Sequence, residues 1–79
     1  MAMPEKEKEW ANKARQFIKA ELKRKSVSYK ELADRLVAHG LVETESGIAS
    51  KLSRGTFAVT FFLATLAVLE LEGVRLEDL

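Results

Sequence analysis

Few side chains in this sequence are of a kind and spacing that could do covalent chemistry. His39 is the single histidine and there is no cysteine, so the His/Cys ligand set of a zinc site cannot be assembled. Glu31 and Asp34 lie three apart on one helical turn, but Lys30 and Arg35 neutralise them, and a solvated surface face accounts for all four. No hydroxyl or amine is paired with a base in the way a nucleophile needs. The glycines, at 40, 47, 55 and 73, stand singly near the ends of elements rather than in a phosphate-cradling loop. The sequence reads as non-enzymatic, with no cofactor, metal or small-molecule ligand indicated. What remains is charge and hydroxyl: Lys51 and Arg54, the serines at 46 and 50, and the run Lys23, Arg24, Lys25.

The elements that must position these groups are helices. Pro4 suits a first helical turn, where its missing N–H is no loss. From there to about Lys25, Trp10, Ala14, Phe17, Ile18 and Leu22 recur as one apolar stripe. Glu5, Glu7 and Glu9 crowd the start of that helix and the Lys23–Lys25 run its end, each favourable to the helix macrodipole. Ser28 opens a second helix over about 28–38. Glu31 stands three residues on, at capping-box spacing, and Val27 precedes the cap as a staple partner for Leu32. Leu32, Ala33, Leu36 and Val37 form its buried face, and Gly40 is a natural stop.

Thr44 or Ser46 caps a third helix over about 45–54, with Ile48, Ala49 and Leu52 inward and Gly55 at its end. Thr56 caps a fourth, in which Phe57, Phe61, Phe62, Leu63, Leu66, Ala67 and Leu69 leave almost no polar side. Such a helix must be the central one or must meet a second protomer. Core packing accounts for Phe57, Phe61 and Phe62 together with Trp10. Gly73 stops this helix, and "VRLEDL" begins a further short element. No period-two alternation, hairpin turn or internal repeat is present. The expected fold is all-α, four to five helices in one domain over residues 1–79.

Length and composition agree. A chain of 79 residues without cysteine must hold itself together by packing alone, and 47% hydrophobic with 32% charged residues suits that. The start of the chain lacks the apolar core of a signal peptide. The longest apolar run, Phe57 to Leu71, is shorter than the roughly 20 residues a membrane span requires. These point to a cytoplasmic protein with no membrane partner. The net charge of +1 divides unevenly. Residues 1–30 carry nine Lys/Arg and four Glu (9 − 4 = +5), and residues 31–79 carry four Lys/Arg and eight Asp/Glu (4 − 8 = −4). The basic end is a modest electrostatic footprint for phosphates. The abrupt ending "RLEDL" also fits a piece of a longer parent chain.

Three stretches resemble the lambda-repressor-like (XRE-type) helix-turn-helix, in that family's order. "SYKELA" (28–33) resembles the opening of the motif's first helix, "ASKLSRG" (49–55) is similar to the "ISKIERG" ending of its recognition helix, and "EGVRLEDL" (72–79) to the "LGVSLDEL" lead into its last helix. "KLSRGTF" followed by "FFL" more narrowly resembles a group of small, uncharacterised bacterial domains with this frame. One feature departs from it. A helix-turn-helix joins its helices by a turn of about 3–4 residues; here the small Ala33 of the first helix and Ala49 of the second stand 49 − 33 = 16 apart, six positions more than in that family's common motif, and the enlargement falls in "VAHGLVETES".

The resemblance implies double-stranded DNA as partner, with the third helix as recognition helix and Thr44, Ser46, Ser50, Lys51 and Arg54 as contacts. Lys51 would meet guanine O6/N7 or a phosphate, Ser46 and Ser50 either, and Arg54 the backbone. Tyr29 occupies the place of a phosphate-contacting glutamine, with Lys30 beside it. Each has a plainer reading: Tyr29 as a half-buried packing residue, Lys51 and Arg54 as solvated charges near a helix C-terminus. Glu43 and Glu45 place negative charge at the tip that would meet DNA. Two functions follow. One is a small DNA-binding regulator working as a homodimer on a two-part site. The alternative is a helical protein-interaction or dimerisation module that has lost DNA contact.

Overall fold

A computed structural model describes residues 4–79. Four α-helices follow in order, α1 (Glu5–Arg24), α2 (Tyr29–Leu36), α3 (Glu45–Arg54) and α4 (Val59–Val68). Single 3₁₀ turns lie at Val37–His39 and Leu76–Asp78, and no strand occurs among the described residues. The chain is an all-helical small bundle.

Each helix begins and ends for reasons visible locally. Ser28 Oγ accepts from the Glu31 amide at 3.1 Å, capping α2. Glu31 does not complete the reciprocal half of a capping box, because its carboxylate pairs with Arg35 one turn on. Thr44 is the cap of α3, its Oγ1 accepting from the Gly47 amide at 3.0 Å. α1, α3, α4 and the 3₁₀ turn that follows α2 each stop at a left-handed residue: Ser26 (φ 57°) after α1, Gly40 (82°) after the turn, Gly55 (74°) after α3 and Glu70 (58°) after α4. After α1, the 3₁₀ turn and α4, paired 6→1 and 5→2 bonds close the end. After α4 these are Leu71 N–H to Leu66 O at 2.9 Å and Glu70 N–H to Ala67 O at 3.1 Å.

The core gathers Ile18 and Leu22 from α1, Val27 from the first connection, Leu32, Ala33 and Leu36 from α2, Ile48 and Leu52 from α3, and Phe61, Val68 and Leu69 from the α4 region. α2 packs on both α3 and α4, and α1 packs on α3. Gly55 is buried at the close approach of α3 to α1: a Cβ there would lie 2.8 Å from the Ala11 carbonyl oxygen.

Several expectations are corrected by this packing. α4 is not the central helix; α2 is, and one side of α4 is left uncovered. α4 starts at Val59 with Ala58, not Thr56, at its cap position, and no side chain caps it. Thr56 and Phe57 are spent instead on a four-residue connection through which α4 turns 116° from α3. Phe57 then packs edge-on to Phe61 at 5.4 Å between ring centroids and stacks on Phe62 at 6.2 Å. The stop comes at Glu70 rather than Gly73. Trp10 is 54% exposed and joins no core cluster, because Glu5 to Trp10 all lie in solvent; the Lys13 ammonium sits over its ring at 4.8 Å. Val37 is exposed as well, since the tightening into a 3₁₀ turn carries it past the buried face. No single described helix is long and apolar enough to cross a membrane.

Candidate nucleic-acid interface

The core positions of α3, Ile48 and Leu52, are one turn apart, so the opposite face is fixed by helix geometry. That face carries Ser46, Ser50, Ser53 and Arg54, all exposed. Arg54 Nη1 donates to Ser50 Oγ at 2.7 Å, one turn back, which lays the guanidinium along the helix. At the N-terminal end, Thr44 Oγ1 and Ser46 Oγ are 3.4 Å apart.

Lys51 does not join this face. Its Nζ donates to Glu43 Oε1 at 3.0 Å and stands 5.6 Å from the centroid of the Phe61 ring. The two side chains retain only 27% and 14% of their exposure. The reason is angular, because one residue advances about 100° round the helix, taking Lys51 from the outward stripe of Ser50 to the flank that faces α4. Lys51 is therefore neither an outward contact nor a solvated helix-end charge. It ties the long α2–α3 connection, through Glu43, to α3 and to an aromatic ring of α4. The same pair withdraws Glu43 from the tip and leaves Glu45 as the exposed acid there.

The start of α2 meets the start of α3. Tyr29, half-buried against the core, lines a shallow depression together with Thr44, Glu45, Ser46 and Ala49. Lys30, next in the chain, is exposed and pairs loosely with Asp34 at 3.7 Å, an interaction worth little in solvent. Of the seven residues singled out from the sequence, Tyr29, Thr44 and Ser46 are brought together. Lys30 lies beside them, Ser50 and Arg54 continue along the same helix, and Lys51 is turned away.

One contribution was missed in the sequence. Lys8, Ala11, Asn12 and Arg15 of α1 line a cleft closed on the other side by Ser53 and Arg54 of α3. Arg15 Nε donates to Asn12 Oδ1 at 2.7 Å, and its Nη1 reaches the Ser53 carbonyl oxygen at 3.5 Å. The signal was available, since positions 8, 12 and 15 recur at helical spacing on the polar side of α1. That they would face α3 was not. The Lys23–Lys25 run is a solvated helix end, with Arg24 drawn back to Glu21. Among the described residues, no group of three acidic, histidine or cysteine side chains is placed to hold a metal ion.

A protein-family model described as "Domain of unknown function (DUF6471)" matches residues 10–74, most of the chain. No curated protein and no solved structure matches it.

Proposed function

Since the chain belongs to the DUF6471 family, a domain family of unknown function, its function must be read from its own surface, and we propose that it is a small DNA-binding regulator of helix-turn-helix frame that uses α3 as its recognition helix. The observation that carries this reading is the outward face of α3. Ser46 and Ser50 stand one turn apart with Arg54 one turn further, all three exposed among the described residues and free of carboxylates along that stripe. A ten-residue helix is about 15 Å long and the major groove about 12 Å wide, so one groove passage can meet this stripe end to end. Hydroxyls donate and accept, which suits base edges and phosphates alike. Tyr29 and Thr44 flank the same end, and Lys30 supplies a cation nearby.

The test is fluorescence anisotropy of a labelled duplex at about 50 and 200 mM salt, a range over which phosphate contacts lose affinity steeply. The wild-type chain binds more weakly as salt rises, and Ser46→Glu/Ser50→Glu, altered on exposed positions only, loses binding. Failure to bind any duplex at the lower salt would sink the reading.

A second reading rests on α4. Val59 (66% exposed), Leu63 (57%) and Ala67 recur at i, i+4 and i+8 on its uncovered side. Burying a side chain such as Val or Leu in full is worth about 1.5–3 kcal/mol, so the stripe favours association with a second copy. As a homodimer surface it serves the regulator; without DNA binding it makes the chain an interaction module. Sedimentation equilibrium decides: the wild type dimerises and Leu63→Glu is monomeric, whereas a wild type that is monomeric at high micromolar concentration removes the dimer from both readings.

A further inference from the structure

The five arginines of this chain divide into two kinds. Arg24 pairs with Glu21, Arg35 with Glu31 and Arg75 with Glu77. Arg15 and Arg54 have no carboxylate within 4.0 Å among the described residues, although the chain contains 12 Asp and Glu. These two, 54 − 15 = 39 positions apart in the chain, line the same cleft between α1 and α3. Lys8 lines it too, and no acidic residue does. Lys8 has only Glu5 at 4.0 Å, with both side chains largely in solvent.

Each guanidinium is already held. Arg15, half-buried, is oriented by the Asn12 amide oxygen and the Ser53 carbonyl, and Arg54 by the Ser50 hydroxyl. Holding a planar donor fork in place before a ligand arrives reduces the entropy lost on binding. Cations lining one cleft raise one another's energy, and an anion between them relieves it; acidic neighbours, Asp78 and the chain end at Leu79, line the adjoining depression, which shares Arg15 and Asn12 with the cleft. The cleft, about 280 Å³, has room for a tetrahedral oxyanion and several waters at about 30 Å³ each.

We propose that the α1–α3 cleft is an oxyanion site that takes a single phosphate group, gripped by the guanidiniums of Arg15 and Arg54 with the Lys8 ammonium at its rim. Arginine forks match phosphate oxygens two at a time, which a point charge does not. The site lies beside the outward face of α3 but does not depend on that face reading bases. The phosphate can come from two sources, a phosphodiester of a duplex backbone or a free phosphate or phosphomonoester.

The experiment is a titration with inorganic phosphate, against sodium chloride at matched ionic strength, followed by the ¹H–¹⁵N signals of the arginine Nε–H groups. Phosphate is expected to move the Arg15 and Arg54 signals together and saturably while those of Arg24, Arg35 and Arg75 stay. Arg15→Lys, which keeps the charge and loses the fork, should weaken the effect on the order of tenfold, with unchanged amide dispersion showing that the fold is intact. Shifts no larger than chloride produces, or equal at all five arginines, would overturn the site. A second arm adds a short duplex to the phosphate-loaded protein. Displacement of phosphate, with the salt slope of duplex binding reduced by about one in Arg15→Gln/Arg54→Gln, assigns the site to a nucleic-acid backbone. Saturable phosphate shifts that the duplex leaves unchanged assign it to a free phosphate compound. Either result supports the site.

Discussion

α3 and α4 are each ten residues long and both contribute core residues, yet they leave opposite surfaces to solvent. α3 has a side-chain cap, a glycine stop and a polar outward face of three serines and an arginine. α4 has no side-chain cap, a glutamate at its left-handed stop and an outward stripe of Val59, Leu63 and Ala67. α3 is a helix by its own sequence signals, so its outer face is free to carry polar groups chosen for something other than stability. α4 is held by what it buries, and its uncovered apolar side is surface that a second molecule would cover. The contrast separates a face suited to a charged, hydrated partner from one suited to an apolar partner.

The sharpest way to break this comparison is at the joint between the two helices. Gly55→Ala forces a side chain into a left-handed conformation and to 2.8 Å from the Ala11 carbonyl oxygen, a backbone atom that cannot simply rotate away. The expected loss is about 2–4 kcal/mol, measured by urea unfolding, and an unaffected midpoint would mean that α1 does not approach α3 this closely. Next comes the strut that crosses from α3 to α4. Lys51→Met leaves the mostly covered Glu43 carboxylate unpaired, at a cost of about 1–2 kcal/mol after allowing for its residual solvent access. Glu43→Gln in the same chain should recover part of that loss. If Lys51 is only a strut, duplex affinity measured where the variant is fully folded stays within about twofold of wild type; a steep loss would return Lys51 to the outward face.

Two smaller changes should strengthen α4. The Thr65 side chain is fully buried and its hydroxyl has no hydrogen-bond partner among the described residues. Thr65→Val keeps the shape, removes the orphaned group and should raise stability by about 1 kcal/mol, so a drop would reveal a partner for that hydroxyl. Glu70→Gly gives α4 the kind of stop α3 already has, with an expected gain of about 0.5–1 kcal/mol in thermal unfolding. If α4 is defined mainly by burial, neither substitution alters the oligomeric state, which sedimentation equilibrium of each variant beside the wild type checks.

The parts of the fold legible in the sequence were those written within one or two helical turns. The cap at Ser28 and the buried pairs Leu32/Leu36 and Ile48/Leu52 follow from spacing of three to four residues, and the stops at Gly40 and Gly55 from residue type; for α3 the sequence offered Thr44 or Ser46 as cap, and the structure takes Thr44. Glu70 was passed over because a glutamate gives no signal of left-handed geometry; the 6→1 bond and the Leu66–Leu71 apolar ends impose it from outside. Trp10 and Val37 fell on apolar stripes and lie in solvent, since a stripe states which side of a helix is apolar and not how far a neighbour extends along it.

The same division runs through the candidate interface. Local periodicity alone determined an all-helical chain and put Ser46, Ser50 and Arg54 on one side of one helix, because the rotation per residue is a property of the backbone. Only the tertiary structure decided that Lys51 turns inward to Glu43 and Phe61, that Tyr29 meets Thr44 and Ser46, and that Arg15 faces Arg54 across a cleft. Those neighbours come from different helices, and the packing of α1 and α2 on α3, not any spacing in the chain, sets which side chains meet.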